Sequence, residues 1–513
     1  MNKKTTLACV LAFCFCISGC SFFGQDEDGV LYKNKTNETA SLTVGQEIEF
    51  KIDKEVQSNN FLTMDLSTDC NLLGYIHYTK TEDPATAHQE KIYIEAGATD
   101  FSIFLDAFRI GAFGAYEKTI EKITLQNVDK AAGSVKVNQI DISNRTYNNQ
   151  EMLYTQNEYL KIGASLAAGG SLCHVESLGR DVVEYIDREG FVRIEENVDQ
   201  DAVKADMGKI VTDQVNMVNV YDLGREIQQS FYAHVSEEDG YAPDDDILYE
   251  GHFSYNPVQA GSAGDNQSQI IDYHVDENGI YVKCRPQDWF LRNTQTDSYM
   301  ESTYTFNEDG TLRVTNRFVN FAGFKNMESA YFGGQETPAI YIVHPLNYFY
   351  CETASGVIHD PKLLGAMDTQ SKTSADHEVI GDYHYTLRSQ EVPNDWFAFV
   401  NEKKFGLGIY MPKMDSLVAS RGYTSTYYLQ GYNSEYNADI YNLSVKRIPS
   451  MYVSNYNYCC PSVIRQMVDY VPFEYTFALY VGTVSEMKDT FAELKKDKEI
   501  PNDGIEAWET RDF

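Results

Sequence analysis

From Ser41 to about Asn144, apolar side chains recur at every second position, and no helical period competes with them. Leu42 and Val44, then Ile48, Phe50 and Ile52, open the series; FLTMDL, LLGYIHY, KIYIEA, FSIFLDAF, KITLQNV and SVKVNQIDIS continue it. A period of two lines one face of a pleated strand, whereas a helix needs returns at three and four. Many short strands of this kind, punctuated by Gly and Asn or Asp, predict a β-sandwich.

The polar run NRTYNNQE (144–151) breaks the pattern and marks a domain boundary. Strands resume beyond it. Asn278-Gly279 joins IIDYHV to IYVKCRP, and Asp309-Gly310 joins STYTF to TLRVTNRF; both dipeptides suit two-residue type I′ turns. WFAFVN and FGLGIY predict a further hairpin around Lys403. One helix is expected, late in the chain, where Thr483 and Glu486 form a capping box and Met487, Phe491 and Leu494 share a face. The fold class is all-β. The expected divisions are a signal over 1–19, a polar tether over 20–38, a β-sandwich over 39–146 and a larger β domain over 147–513.

Lys3 and Lys4 precede an apolar run from Leu7 to Ile17, the pattern of a secretory signal. Its ISGC ending resembles the bacterial lipobox, which implies cleavage before Cys20, acylation of that cysteine and a partner in the lipid bilayer. Ser21 after the cysteine permits outer-membrane export in a host with two membranes. Six cysteines follow Cys20, widely scattered and without a CxxC pair, so no metal site is expected. No cofactor motif stands out, and none is expected. A formal net charge of -34 repels nucleic acid and acidic polymers, and leaves neutral glycans as the ligands best suited to this chain.

The densest chemistry lies between Tyr221 and Gly261, in YDLGREIQQSFYAH and YNPVQAG. Arg225, Gln229, Tyr232, His252, Asn256 and Gln259 offer donors and acceptors that match vicinal hydroxyls, and Trp289 and Gln335 extend the set of candidate ligand contacts. Tyr232, His234, Arg225 and Arg285 could instead serve as a lyase base and neutraliser. Asp222 and Glu226 share a strand face but stand about 13 Å apart. Glycosidase carboxyls lie about 5–5.5 Å apart when retaining and about 6.5–9.5 Å when inverting. The inverting gap remains open to these two through side-chain convergence, but a long-range partner fits better, and Glu336 in GQETPAIY is the best candidate. Interior ion pairing and turn capping are the competing uses of these same residues.

LKIGASLAAGGSLCHVES (160–177), YDLGREIQQSFYA, YNPVQAG, MESTYTF (300–306), GQETPAIY (334–341) and NDWFAFVNEKKFGLGIYMP (394–412) occur in this order. Together they resemble a group of secreted bacterial proteins with a galactose-mutarotase-like super-sandwich, over roughly residues 150 to 485. The resemblance implies a large concave sheet that holds a carbohydrate. ITLQNVDKAAGSVKVNQIDISNRTY likewise looks like the last hairpin of a jelly-roll of the carbohydrate-binding-module type. Hydrolysis of a neutral glycan, its capture without chemistry, epimerisation or lyase action, and adhesion through the tyrosines between 423 and 458 all remain open at this point. The oligomeric state is open as well.

Overall fold

The computed structural model describes residues 30–57, 60–105, 117–145, 148–178, 216–218, 226–235, 255–262, 266–289, 294–324, 327–328, 334–343, 346, 348–360, 384–401, 403–423 and 455–509. The chain is all-β and forms two compact units, one built mainly from residues up to Arg145 and one mainly from Thr146 onward. Among the described residues, no helix is long and apolar enough to cross a membrane.

The first unit contains β1 (Val30–Leu42), β2 (Glu47–Val56), β3 (Asn60–Thr68), β4 (Leu72–Lys80), β5 (Asp83–Ile94), β6 (Asp100–Phe104), β7 (Lys118–Asn127) and β8 (Gly133–Asn144). They form two sheets in the orders β1-β8-β3-β6 and β2-β7-β4-β5, the strand order of a jelly-roll. Leu62, Met64, Val135, Val137 and Ile140 from one sheet are buried, as are Phe50, Ile52, Ile76, Ile92 and Ile123 from the other. These are the positions at which the alternation predicted a core.

Two expectations need correction here. The stretch up to residue 38 is a strand from Val30 on, running antiparallel beside β8 from Val30↔Ser143 to Leu42↔Gly133. It lacks an apolar period because it is an edge strand, held by backbone bonds and carrying charged residues such as Lys33 and Lys35 on a largely exposed ribbon. Nor are β7 and β8 a hairpin. They lie in different sheets, so the turn between them carries the chain from one layer of the sandwich to the other.

In the second unit one sheet runs β24 (His384–Arg388), β27 (Ser416–Tyr423), β28 (Asn455–Val463), β21 (Gln335–Val343), β12 (Ile227–Ser230), β11 (Ser171–Ser177), β10 (Leu160–Ser165), β9 (Met152–Gln156). Short strands β14 (Pro257–Val258) and β17 (Gln287–Asp288) complete its ten described strands. A second sheet of nine described strands runs β15 (Gln269–Val275), β16 (Gly279–Arg285), β18 (Ser298–Phe306), β19 (Leu312–Asn320), β29 (Phe473–Thr483), and on through four more. These are β26 (Phe405–Tyr410), β25 (Trp396–Val400), β22 (Tyr348–Thr353) and β23 (Gly356–Asp360). β13 (His234–Val235) and β20 (Met327–Glu328) pair separately.

The two large sheets face one another. Phe231, just after β12, stacks on Phe318 of β19 with ring centroids 4.2 Å apart, and Trp508 packs edge-on against both. Between the sheets runs a buried polar network. Gln229 and Gln259 each donate an amide N–H to Ser302 Oγ, at 3.1 and 3.0 Å, and Ser302 donates in turn to Asn316 Oδ1 at 2.7 Å. Asn316 then donates to Tyr475 Oη at 2.9 Å. Each donor named here finds its acceptor in the next member, as buried polar groups require, while Gln229 Oε1 is buried without a hydrogen bond among the described residues. This is the super-sandwich architecture expected for the region.

The helix forms as predicted. α1 (Val484–Asp497) begins at Thr483, whose Oγ1 accepts the Glu486 amide at 3.4 Å while the Glu486 carboxylate accepts the Thr483 N–H at 2.8 Å. Met487, Phe491 and Leu494 bury against Trp396, Ala398 and Tyr410 on the back of the nine-stranded sheet. Gly408 makes room for them: a Cβ there would lie 2.8 Å from Phe491 and 2.9 Å from Met487 Sδ.

The predicted hairpins also form, but the two turns expected to hold two residues are longer. Val275 pairs with Ile280, so Asp276 to Gly279 make a four-residue loop, in which the Asp276 carboxylate accepts the N–H groups of Asn278 and Gly279. Phe306 pairs with Leu312, and the Asp309 carboxylate accepts from Thr311 while Gly310 takes a left-handed φ of 82°.

Candidate functional site

The side of each side chain on the ten-stranded sheet follows from contacts with its partner layer. Gln229 points inward, since its amide reaches the Glu301 carbonyl of β18 at 2.8 Å. Phe231 points inward too, so the alternate residues Gln228, Ser230 and Tyr232 face outward. Ser230 pairs with Glu336 of β21, which places Glu336 on the outward face. Ile340 pairs with Ile227 and points inward, so Ala339 and Tyr341 face outward as well.

Glu336 and Tyr341 are five residues apart and would lie on opposite faces of a regular strand. The register between β21 and β28 shifts between Glu336 and Ile340, where an extra residue lies across the cis Thr337–Pro338 peptide. A bulge of this kind turns the strand by one residue and re-aims what precedes it. It brings Glu336, Tyr341 and Tyr458 of β28 to one face.

Tyr458 donates its hydroxyl to Glu336 Oε1 at 2.5 Å, and its ring lies 5.0 Å from that of Tyr341. Burial, then the charge of Glu336, pushes the Tyr232 phenol well above its usual value. Burial also pushes up Tyr458, with Cys460 and Glu336 adding to it. Both phenols therefore stay protonated and act as donors. Tyr232, Glu336 and Tyr458 are half-buried, while Ser230 and Ser462, which flank Glu336 in register, are buried. The result is one carboxylate ringed by tyrosines. An ionised carboxylate has about four lone-pair sites, so a donor from Tyr458 leaves others for a ligand.

The remaining sequence candidates fall elsewhere. Gln229 (0% exposed) and Gln259 (1%) spend their amides on the interior network, and Gln259 also donates to Gly169 O at 3.2 Å. Asn256 is buried, donating to Phe231 O at 2.8 Å, while its own N–H reaches Asp288 Oδ2 at 2.9 Å. For these three the structure corrects the ligand-facing reading: their side chains are buried between the sheets and beneath the β14–β17 turn. Gln335 is also buried, and its amide is bonded to backbone groups. Trp289 is half-buried, and its backbone N–H donates to the Asn256 carbonyl at 2.9 Å. Arg285 is bound to Asp297 at 2.6 Å and to the Thr296 carbonyl at 3.0 Å.

Glu226 is 0% exposed, and its charge adds to burial in pushing up the Cys173 thiol. It lies four residues before Ser230, the partner of Glu336, a span of about 13 Å along a strand. Asp222, Arg225, His252 and Cys20 lie outside the described residues, as do most of the tyrosines between 423 and 458. Tyr341 was not singled out from sequence, and Tyr458 only as one of the tyrosines between 423 and 458. The signal that could have found them is Pro338 inside an otherwise regular strand, which marks a bulge and hence a reversal of faces. All six cysteines among the described residues are free and buried. No group of three or more His, Cys, Asp or Glu among the described residues could hold a metal ion.

No protein-family model matches this chain, and no curated protein matches it by sequence. Solved structures do resemble it. An alpha-mannosidase from Enterococcus faecalis V583 is 8% identical with a TM-score of 0.29, covering 94% of this chain and 42% of its own. The chain thus spans less than half of that protein. A GalM/aldose epimerase homologue from C. elegans is 8% identical, with a TM-score of 0.29 and coverage of 65% of this chain and 98% of its own. Galactose 1-epimerase from Lactobacillus acidophilus NCFM is 11% identical, with a TM-score of 0.25 and coverage of 66% and 96%. At these TM-scores the likenesses bear no weight, and the architecture rests on the strand orders given above.

Proposed function

We propose that this protein binds a carbohydrate, a neutral glycan in the first instance, on the outward face of its ten-stranded sheet at Glu336. The observation that carries the reading is the Glu336 carboxylate, held by Tyr458 at 2.5 Å and set among Tyr232 and Tyr341. Carboxylate oxygens accept hydrogen bonds from paired hydroxyls, and tyrosine offers a flat apolar ring with a polar tip suited to a pyranose. The net charge of -34 disfavours acidic glycans. Binding rather than hydrolysis is the reading adopted, because Glu226 is buried beside Cys173 and stands far along β12 from Glu336.

Calorimetry with the detergent-solubilised full chain and the methyl glycosides of galactose, glucose and mannose tests it. At least one should bind to the native protein and lose most of its affinity in E336Q. Equal binding by the native protein and E336Q would overturn the assignment. Product analysis with the corresponding nitrophenyl glycosides tests the catalytic alternative, which requires turnover that E336Q abolishes.

The second part of the proposal is an envelope location through acylated Cys20. Labelling with a palmitate analogue should mark the native chain and not C20A, and label retained in C20A would remove this part.

A further inference from the structure

We propose that Gln335 is a positioning residue, which fixes Tyr232 against Glu336 without touching the ligand itself. The inference builds on the Glu336 site but concerns a different residue and has its own readout. Gln335 pairs with Val463 and its side chain is 2% exposed, so it turns away from the outward face that the next residue, Glu336, occupies.

Its amide holds Tyr232 from both sides. Gln335 Oε1 accepts the Tyr232 N–H at 2.7 Å, and Gln335 Nε2 donates to the Tyr232 carbonyl at 3.0 Å. Tyr232 lies beyond the end of β12, and the side-chain amide bonds both of its backbone groups much as a neighbouring strand would. The second N–H of the same amide donates to the Arg465 carbonyl at 2.9 Å. That turn is itself anchored, because Asp415 accepts from Arg465 Nη1 at 2.9 Å and from the Ile464 N–H at 2.7 Å. Ser462 completes the frame by donating to the Gln335 carbonyl at 2.9 Å. Three segments distant in sequence are thus tied at one amide, and the residue they hold is the tyrosine whose phenol meets Glu336.

Loss of the amide leaves Glu336 in its strand and frees Tyr232 to turn. Partners that orient metal ligands from behind cost about 10–100-fold in affinity when removed, and the low end of that range, about tenfold, is the loss expected here. The direct test is ring NMR of the full chain with carbon-labelled tyrosine, the Tyr232 signal being assigned by its loss in Y232F. In Q335A the Tyr232 resonance should shift or broaden while most other tyrosine signals stay in place. An unmoved Tyr232 signal in folded Q335A overturns the proposal.

Affinity for the methyl glycosides supplies the second readout. Q335A should weaken binding about tenfold in the native background and hardly at all in Y232F, because a residue acting through Tyr232 has nothing left to act on. Additive losses overturn it. Should Q335A fail to fold, Q335E, which keeps the acceptor for the Tyr232 N–H and loses both donors, is read in the same two ways. Failure of every glycoside to bind removes the sugar reading, and the Tyr232 resonance then decides the role of Gln335 by itself.

Discussion

Tyr458 of β28 donates a hydroxyl hydrogen bond of 2.5 Å to Glu336 of β21, on the sheet face that looks away from the partner layer. The bond exists because the bulge at Thr337–Pro338 moves Glu336 onto the face that Tyr458 already occupies. Y458F keeps the ring and removes the donor. A hydrogen bond to a charged group contributes about 1.5–3 kcal/mol, so the carboxylate loses its orientation at a measurable cost. Glycoside affinity measured by calorimetry should fall about tenfold or more, with a loss of thermal stability of a few degrees beside it. Unaltered affinity in Y458F would separate Tyr458 from the site.

The sequence shows most of the fold and only half of this site. Residues such as Phe50, Ile76 and Phe491 could be placed because burial repeats with the period of the element. The helix start at Thr483 could be placed because its cap is local. β1 could not, since Lys33 and Lys35 sit on an edge strand whose pairing with β8 is made mainly by backbone groups. Glu336 stood out by its chemistry, but its companions depend on which face it takes. A single bulge decides that, and alternation counted from either end gives the wrong answer on the far side of Pro338. Gln229, Asn256 and Gln259 misled for a related reason. An amide looks the same in sequence whether it meets a sugar or another buried amide, and only the facing sheet distinguishes the two.

The interior network predicts that S302A is costly although no ligand is near. Ser302 Oγ accepts from Gln229 and Gln259 and donates to Asn316. Alanine there leaves two buried donors and one acceptor without their partner, at about 1–3 kcal/mol for each group so stranded. Urea unfolding should show a loss of at least about 2 kcal/mol. A loss within the scatter of ordinary surface substitutions would mean that water enters the gap and satisfies those groups.

Helix α1 docks on β26 through the space that Gly408 leaves. The missing Cβ would sit 2.8 Å from Phe491, and a valine would add two further carbons in the same direction. Overpacking of a filled core costs about 1–3 kcal/mol. G408V should therefore lower the thermal midpoint by several degrees. A compensating M487A, which opens volume beside it, should recover part of the loss; no recovery in the double variant would place the strain in the strand rather than under the helix.

Glu301 lies on the outer face of the nine-stranded sheet, 3.4 Å from Lys283, 3.2 Å from Arg317 and accepting from Tyr281 at 3.1 Å. Burial on its own would raise its pKa, but Lys283, Arg317 and the Tyr281 hydroxyl together hold it below the usual carboxylate range. A carboxylate depressed in the folded chain binds fewer protons there than in the unfolded chain. Its contribution is present above the unfolded pKa and is lost as pH falls through the folded one. E301Q should thus be less stable than the native protein at neutral pH, by chemical unfolding at low salt. The gap should close as the pH is lowered through and below the ordinary carboxylate range. A gap that stays constant with pH would mean that the glutamate acts through shape and hydrogen bonding, with its charge playing no part.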